Sequence, residues 1–110
     1  MGLTKTENFS EKQNEVAKLL KALGHPARIA IIEHLLKMKA CVCGDLVSEL
    51  PLAQATVSQH LKELKNAGII KGTVEGNAVC YCLDENAFEY LKGYFSNILA
   101  DVKCQQSNCC

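Results

Sequence analysis

The chain has 110 residues, 48% of them hydrophobic, which suits one small domain and excludes two. No apolar run approaches the ~18 residues of a membrane-spanning helix, and the polar start lacks a signal-peptide core, so a cytoplasmic protein is expected. Twelve basic and twelve acidic residues cancel, which excludes a uniformly basic nucleic-acid binder and leaves only a local basic face.

Residues 1–10 read as a flexible start. From Glu11, Val16, Leu19, Leu20 and Leu23 recur at helical spacing. Gly24-His25-Pro26 interrupts that helix, and Pro26 fits the first turn of a second one, where its missing N–H costs nothing. Ile29, Ile32, Leu35 and Leu36 give the second helix a buried stripe. Asp45 can cap a short helix over 46–50, which Pro51 ends.

Gln54–Ala67 reads as an amphipathic helix. Val57, Leu61 and Leu64 face a core, and Thr56, Gln59, Lys62 and Lys65 lie opposite. Gly68 terminates it. A short helix, a tight turn and this helix make a helix-turn-helix. Ile69–Val74 and Ala78–Leu83, around Glu75-Gly76-Asn77, read as a β-hairpin, hence a wing. The last helix begins near Asn86. Its Phe88, Leu91, Phe95, Ile98 and Val102 keep heptad spacing, the seam of a helix pair whose simplest partner is a second copy of the chain. The fold expected is mainly α with a small β-hairpin wing. The flexible start covers 1–10, a dimeric winged helix-turn-helix domain 11–102, and a cysteine-rich tail 103–110.

The DNA face follows from that order. Between Gln54 and Lys71 stand Lys62, Lys65, Lys71 and His60 against one acid, Glu63. Recognition helices present their outward N-terminal residues to base edges. Gln54, Thr56, Ser58 and Gln59 suit that role, because Gln pairs bidentately with adenine and Ser or Thr serves several bases. Lys62, Lys65 and Lys71 suit phosphates. His60, beside the core stripe, can reach phosphate or a base. His25 reads as a turn residue and His34 as an exposed one.

Seven cysteines would read as disulfides in an exported chain. Without a signal peptide, reduced thiols and metal or metalloid binding fit better. The spacing agrees: Cys-x-Cys at 41/43 and at 80/82, then Cys104, then Cys109-Cys110. Such close pairs form strained rings if oxidised within the motif, and suit joint coordination of one soft ion. No Cys/His/acid set suggests a nucleophile with its base, so no enzyme activity is expected.

Three motifs carry a resemblance. Residues 23–35, Leu-Gly-His-Pro-Ala-Arg-Ile-Ala-Ile-Ile-Glu-His-Leu, resemble the second helix of the ArsR/SmtB family of metal-responsive repressors. Residues 55–70, Ala-Thr-Val-Ser-Gln-His-Leu-Lys-Glu-Leu-Lys-Asn-Ala-Gly-Ile-Ile, are similar to its recognition helix and first wing strand. Cys-Val-Cys-Gly-Asp-Leu (41–46) is similar to the thiolate motif of its arsenic- and cadmium-sensing members. The resemblance implies a homodimer, joined through its N- and C-terminal helices. It would hold double-stranded operator DNA when empty and release it on binding trivalent arsenic or antimony. Cadmium, lead or thiol oxidation are the alternative signals.

The chain departs from the family where a third thiol is often found: position 46 is Leu46, and no cysteine precedes Cys41. Cys41 and Cys43 therefore need a third ligand from Cys109, Cys110, Cys104, Cys80 or Cys82, and a tail thiol is placed ahead of a wing thiol. The wing remains in play because the chain before the short helix of a winged helix can run beside the outer wing strand. Residues 40–42 would then lie near 79–83, and alternation sends Cys80 and Cys82 to one face.

Overall fold

The computed structural model describes residues 8–38, 42–43, 53–75 and 78–106. The expected short helix over 46–50 with its Asp45 cap, the Gly76-Asn77 tip, Cys41, Cys109 and Cys110 lie outside the described residues, as do the side chains of Cys43 and Gln54.

Helix α1 spans Glu11–Leu23. Ser10 Oγ accepts the Gln13 N–H at 3.0 Å, and Gln13 Oε1 accepts the Ser10 N–H at 3.1 Å. This capping box satisfies donors that the first turn leaves without partners. Helix α2 spans Pro26–Met38. His25 Nδ1 accepts the Ala27 N–H at 3.0 Å, so the expected turn residue serves as the N-cap.

The buried stripes are Val16, Leu19 and Ala22 on α1 and Ile31, Ile32 and Leu35 on α2. Leu20, Ile29 and Leu36, expected inside, are exposed, the last two at 42% and 60%. Between Ile29 and Leu36 only Glu33 and His34 are polar. A helix apolar on most sides carries no phase in its sequence, and packing against α3 and β3 sets it.

Helix α3 spans Gln54–Asn66 and buries Val57, Leu61 and Leu64 at the expected positions. Its end is a Schellman motif. The Gly68 N–H reaches the Lys65 carbonyl and the Ile69 N–H the Leu64 carbonyl, each at 3.0 Å. Gly68 has φ +85° with open space around its Cβ position. Glycine is thus required there for conformation and not for room. Leu64 and Ile69, both fully buried, make the apolar contact that accompanies the motif.

The sheet has one strand more than a hairpin. Strands β1 (Val42–Cys43), β2 (Ile70–Glu75) and β3 (Ala78–Leu83) run antiparallel in the order β1-β3-β2. The wing pairs Ile70 with Leu83 through to Glu75 with Ala78. Helix α4 spans Glu85–Gln106. Asp84 Oδ1 accepts the Asn86 N–H at 2.9 Å, and the Asp84 N–H bonds the Ile69 carbonyl at 2.9 Å, fixing where α4 leaves the wing.

Phe88 and Leu91, expected in an intermolecular seam, pack on the chain's own core. Phe95, Ile98, Leu99 and Val102 are exposed. The helix continues through Cys104, beyond the expected boundary at 102. No helix among the described residues is long and apolar enough to cross a membrane.

Candidate functional site

The outer face of α3 carries the expected polar set. Thr56, Ser58, Gln59, Lys62 and Lys65 are exposed, and Lys71 is exposed at the start of the wing. Gln59 Nε2 donates to Glu63 Oε1 at 3.2 Å, which steadies a long side chain one turn along its own helix. Lys65 leans over the wing. A Cβ added at Gly72 would stand 3.4 Å from its Nζ and 3.3 Å from Tyr81 Cε1. The absent side chain at Gly72 is what lets the recognition helix lay a cation on the hairpin. Helix and wing thus present one continuous surface.

His60 differs from the expectation of a DNA contact. It is 9% exposed, and its Nδ1 accepts from Arg28 Nε at 3.0 Å. A ring that accepts at Nδ1 is neutral and carries its proton on Nε2. Burial first, then the charges of His25 and Arg28, lowers its pKa from the ordinary 6.5. The His25 and His60 ring centroids are 4.5 Å apart. Arg28 also donates from Nη1 to the Ala22 carbonyl at 3.2 Å, one of the last carbonyls of α1, which lack intrahelical partners.

Arg28 therefore ties the end of α1, the start of α2 and the middle of α3 together. Sequence reasoning missed it. The available signal was a lone arginine three residues after His25 in an otherwise apolar stretch.

Strand β1 pairs with β3, Val42 opposite Tyr81 and Cys43 opposite Cys80. The run from Cys41 to Cys43 is centred on Val42, and the run from Cys80 to Cys82 is centred on Tyr81. The two Cys-x-Cys motifs are therefore paired centre to centre. Tyr81 and Leu83 pack on the hydrophobic core. By alternation Cys80 and Cys82 face the opposite side of the sheet, where Cys80 is nonetheless 1% exposed and Cys82 half-buried.

Cys80, Cys82 and Cys104 are disulfide-bonded, where reduced thiols were expected. The pairing supplies a physical reason at the wing, since antiparallel partners lie ~4.5–5.5 Å apart at Cα, within the span of a disulfide. Among the described residues no three of His, Cys, Asp or Glu are grouped to hold a metal.

The family model for bacterial regulatory proteins of the arsR family matches residues 25–71. The uncharacterized HTH-type transcriptional regulator MJ1325 of Methanocaldococcus jannaschii is 38% identical over 84 residues, 74% of this chain and 93% of that one. The chain belongs to the arsR family of regulators.

Two further arsR-type relatives carry names that bear on a signal. The cadmium resistance transcriptional regulatory protein CadC homolog of Staphylococcus aureus is 42% identical over 83 residues, covering 73% of this chain and 68% of that one. The HTH-type transcriptional repressor SmtB of Mycobacterium tuberculosis is 42% identical over 74 residues, 67% of this chain. This chain spans only 54% of that repressor's length. The fold agrees with the crystal structure of the ArsR family transcriptional regulator RHA00566 at TM-score 0.73 and 14% identity. That match covers 86% of this chain and 97% of the other.

Proposed function

We propose that this arsR-family repressor binds operator DNA as a homodimer and releases it when trivalent arsenic or antimony is captured by Cys41, Cys43 and a third thiolate. The observation that carries the reading is the β1–β3 pairing. It attaches the thiolate motif directly to the wing of the DNA-binding surface. Gln54, Thr56, Ser58 and Gln59 read base edges in the major groove, and Lys62, Lys65 and Lys71 hold phosphates. His60 positions α3 through Arg28 and does not touch DNA. The exposed Phe95, Ile98, Leu99 and Val102 of α4 form the seam with the second copy.

Arsenic(III) and antimony(III) are soft ions and prefer thiolates over harder donors. If the loaded shape holds DNA less well, DNA and ion weaken each other's binding by the same factor. A coupling of about 2.7 kcal/mol lowers operator affinity roughly a hundredfold.

A cadmium- or lead-responsive form of the same switch is the second reading. It is favoured by the CadC homolog, named for cadmium resistance, and by the sulfur-rich strand pair. Thiol oxidation is a third, favoured by the disulfides at Cys80 and Cys82.

An operator gel shift tests the reading, run on reduced protein with arsenite, cadmium or peroxide added. The doubly substituted Cys41→Ser, Cys43→Ser protein is expected to bind DNA normally and to ignore arsenite. Release of that variant by arsenite would refute the role of the pair.

A further inference from the structure

Two features of the wing strand remain outside a three-thiolate site built on Cys41 and Cys43. Cys80 is almost wholly buried on the face of the sheet away from the core. Cys82 stands opposite Lys71 across the β2–β3 ladder. We propose that the two Cys-x-Cys motifs, Cys41/Cys43 and Cys80/Cys82, form one thiolate site for a soft cation between β1 and β3, with the wing strand, and not the tail, completing it. The proposal rests on Cys41 and Cys43 being sensor ligands and goes further by naming the thiols that complete their site.

Directly paired residues of an antiparallel sheet share a face, with Cβ atoms ~4.5–5.5 Å apart. Sulfurs on such positions can meet a common ion at metal–sulfur distances of ~2.3 Å. The tail cysteines have no such pairing; Cys104 lies on α4. Because Cys80 and Cys82 contribute only two sulfurs, the site also requires Cys41 and Cys43.

The loaded form is reached from the disulfide form by a thiol reductant. Each disulfide accepts two electrons and two protons from two small-molecule thiols, which leave joined as their own disulfide. The ion then displaces the thiol protons. With a divalent cation such as Cd(II), four neutral thiols lose four protons and gain a dication, a change of two negative charges. With As(III), three thiols lose three protons to a trivalent centre, and the charge is unchanged.

Cd(II) would therefore place two negative charges on the wing close to Lys71, which is exposed across from Cys82. A phosphate anchor so neutralised loosens DNA without any movement of α3. As(III) could act only by re-aiming β1 against the wing.

The test is metal binding by the reduced full-length chain without DNA. CdCl2 is titrated while the sulfur-to-cadmium charge-transfer absorption is read, with a chromophoric chelator as competitor. The wild type is expected to saturate at one Cd(II) per chain. Cys80→Ser/Cys82→Ser should lose about half of the absorption as four thiolates become two. Its affinity should fall by more than the roughly hundredfold seen when outer-shell partners are removed. The triple substitution Cys104→Ser/Cys109→Ser/Cys110→Ser should match the wild type. Full absorption and affinity in the wing variant, or their loss in the tail variant, would overturn the proposal.

Since Cys80 is buried, Cys82→Ser alone is measured beside the double variant, with far-ultraviolet circular dichroism on both. The single variant should lose about a quarter of the absorption while remaining folded. This titration is separate from the operator assay. A site that needs Cys80 and Cys82 in a protein whose DNA binding ignores every ion would refute the repressor switch and leave the site standing.

Discussion

Replacing Arg28 by alanine tests whether one side chain sets the angle between the α1–α2 hairpin and the recognition helix. The guanidinium donates at 3.0 Å to His60 Nδ1 and at 3.2 Å to the Ala22 carbonyl. Its loss strands two acceptors, each worth about 1–3 kcal/mol when left unsatisfied in the interior. The carbonyl borders an open groove lined by Lys21, Gly24 and Asn66, so water can replace that bond. The imidazole nitrogen is buried and bears the larger share. A total of about 2–3 kcal/mol is expected.

With a urea slope of about 1.2 kcal/mol/M, the unfolding midpoint should fall by roughly 2 M. The double-mutant cycle with His60→Ala should show a coupling of about 1–2 kcal/mol, because each single change removes the same bond. Additive losses, or a midpoint shift below about 0.4 M, would show that Arg28 is a solvated surface cation and that α3 is held by Val57, Leu61 and Leu64 alone.

Three further outcomes are expected. The lowered pKa of His60, owed first to burial and then to His25 and Arg28, means that the unfolded chain takes up the proton first. Its contribution to stability is full above pH 6.5 and is lost as pH falls through the folded pKa. Urea midpoints should therefore drop on acidification below that value, and His60→Gln should flatten the drop. Lys62→Ala should lower operator affinity about equally for all sequences and reduce the slope of log affinity against log salt by about 1, as loss of one phosphate contact requires. Ile98→Asp, on the exposed stretch of α4, should shift the protein to monomer in sedimentation equilibrium while leaving its helix content unchanged, because Ile98 is absent from the chain's own core.

Much of the fold was legible because local rules and packing agree. The Ser10 capping box, Pro26 at a helix start, Gly68 at a helix end and the Val57, Leu61, Leu64 stripe each follow from short-range chemistry. The phase of α2 was not legible. Its apolar residues surround the helix, and which of them turn inward depends on what packs there. The same limit applies to α4, where Phe88 and Leu91 keep heptad spacing with Phe95 but belong to the chain's own core.

The polar side of α3 could be named from the sequence, yet His60 was assigned to DNA because nothing local records that Arg28, thirty-two positions away, would claim its Nδ1. The thiol centre divides similarly. Residue types and spacing marked both Cys-x-Cys motifs as soft-ion ligands, since that chemistry is carried by two sulfurs two positions apart. Their association is a matter of strand register, and register is decided by which backbones pair. By itself, then, the sequence determined the helix ends, the winged helix-turn-helix order and the identity of the reactive thiols. Tertiary structure alone decided that Cys43 stands opposite Cys80, through contacts between segments nearly forty residues apart that no periodicity within either segment can encode.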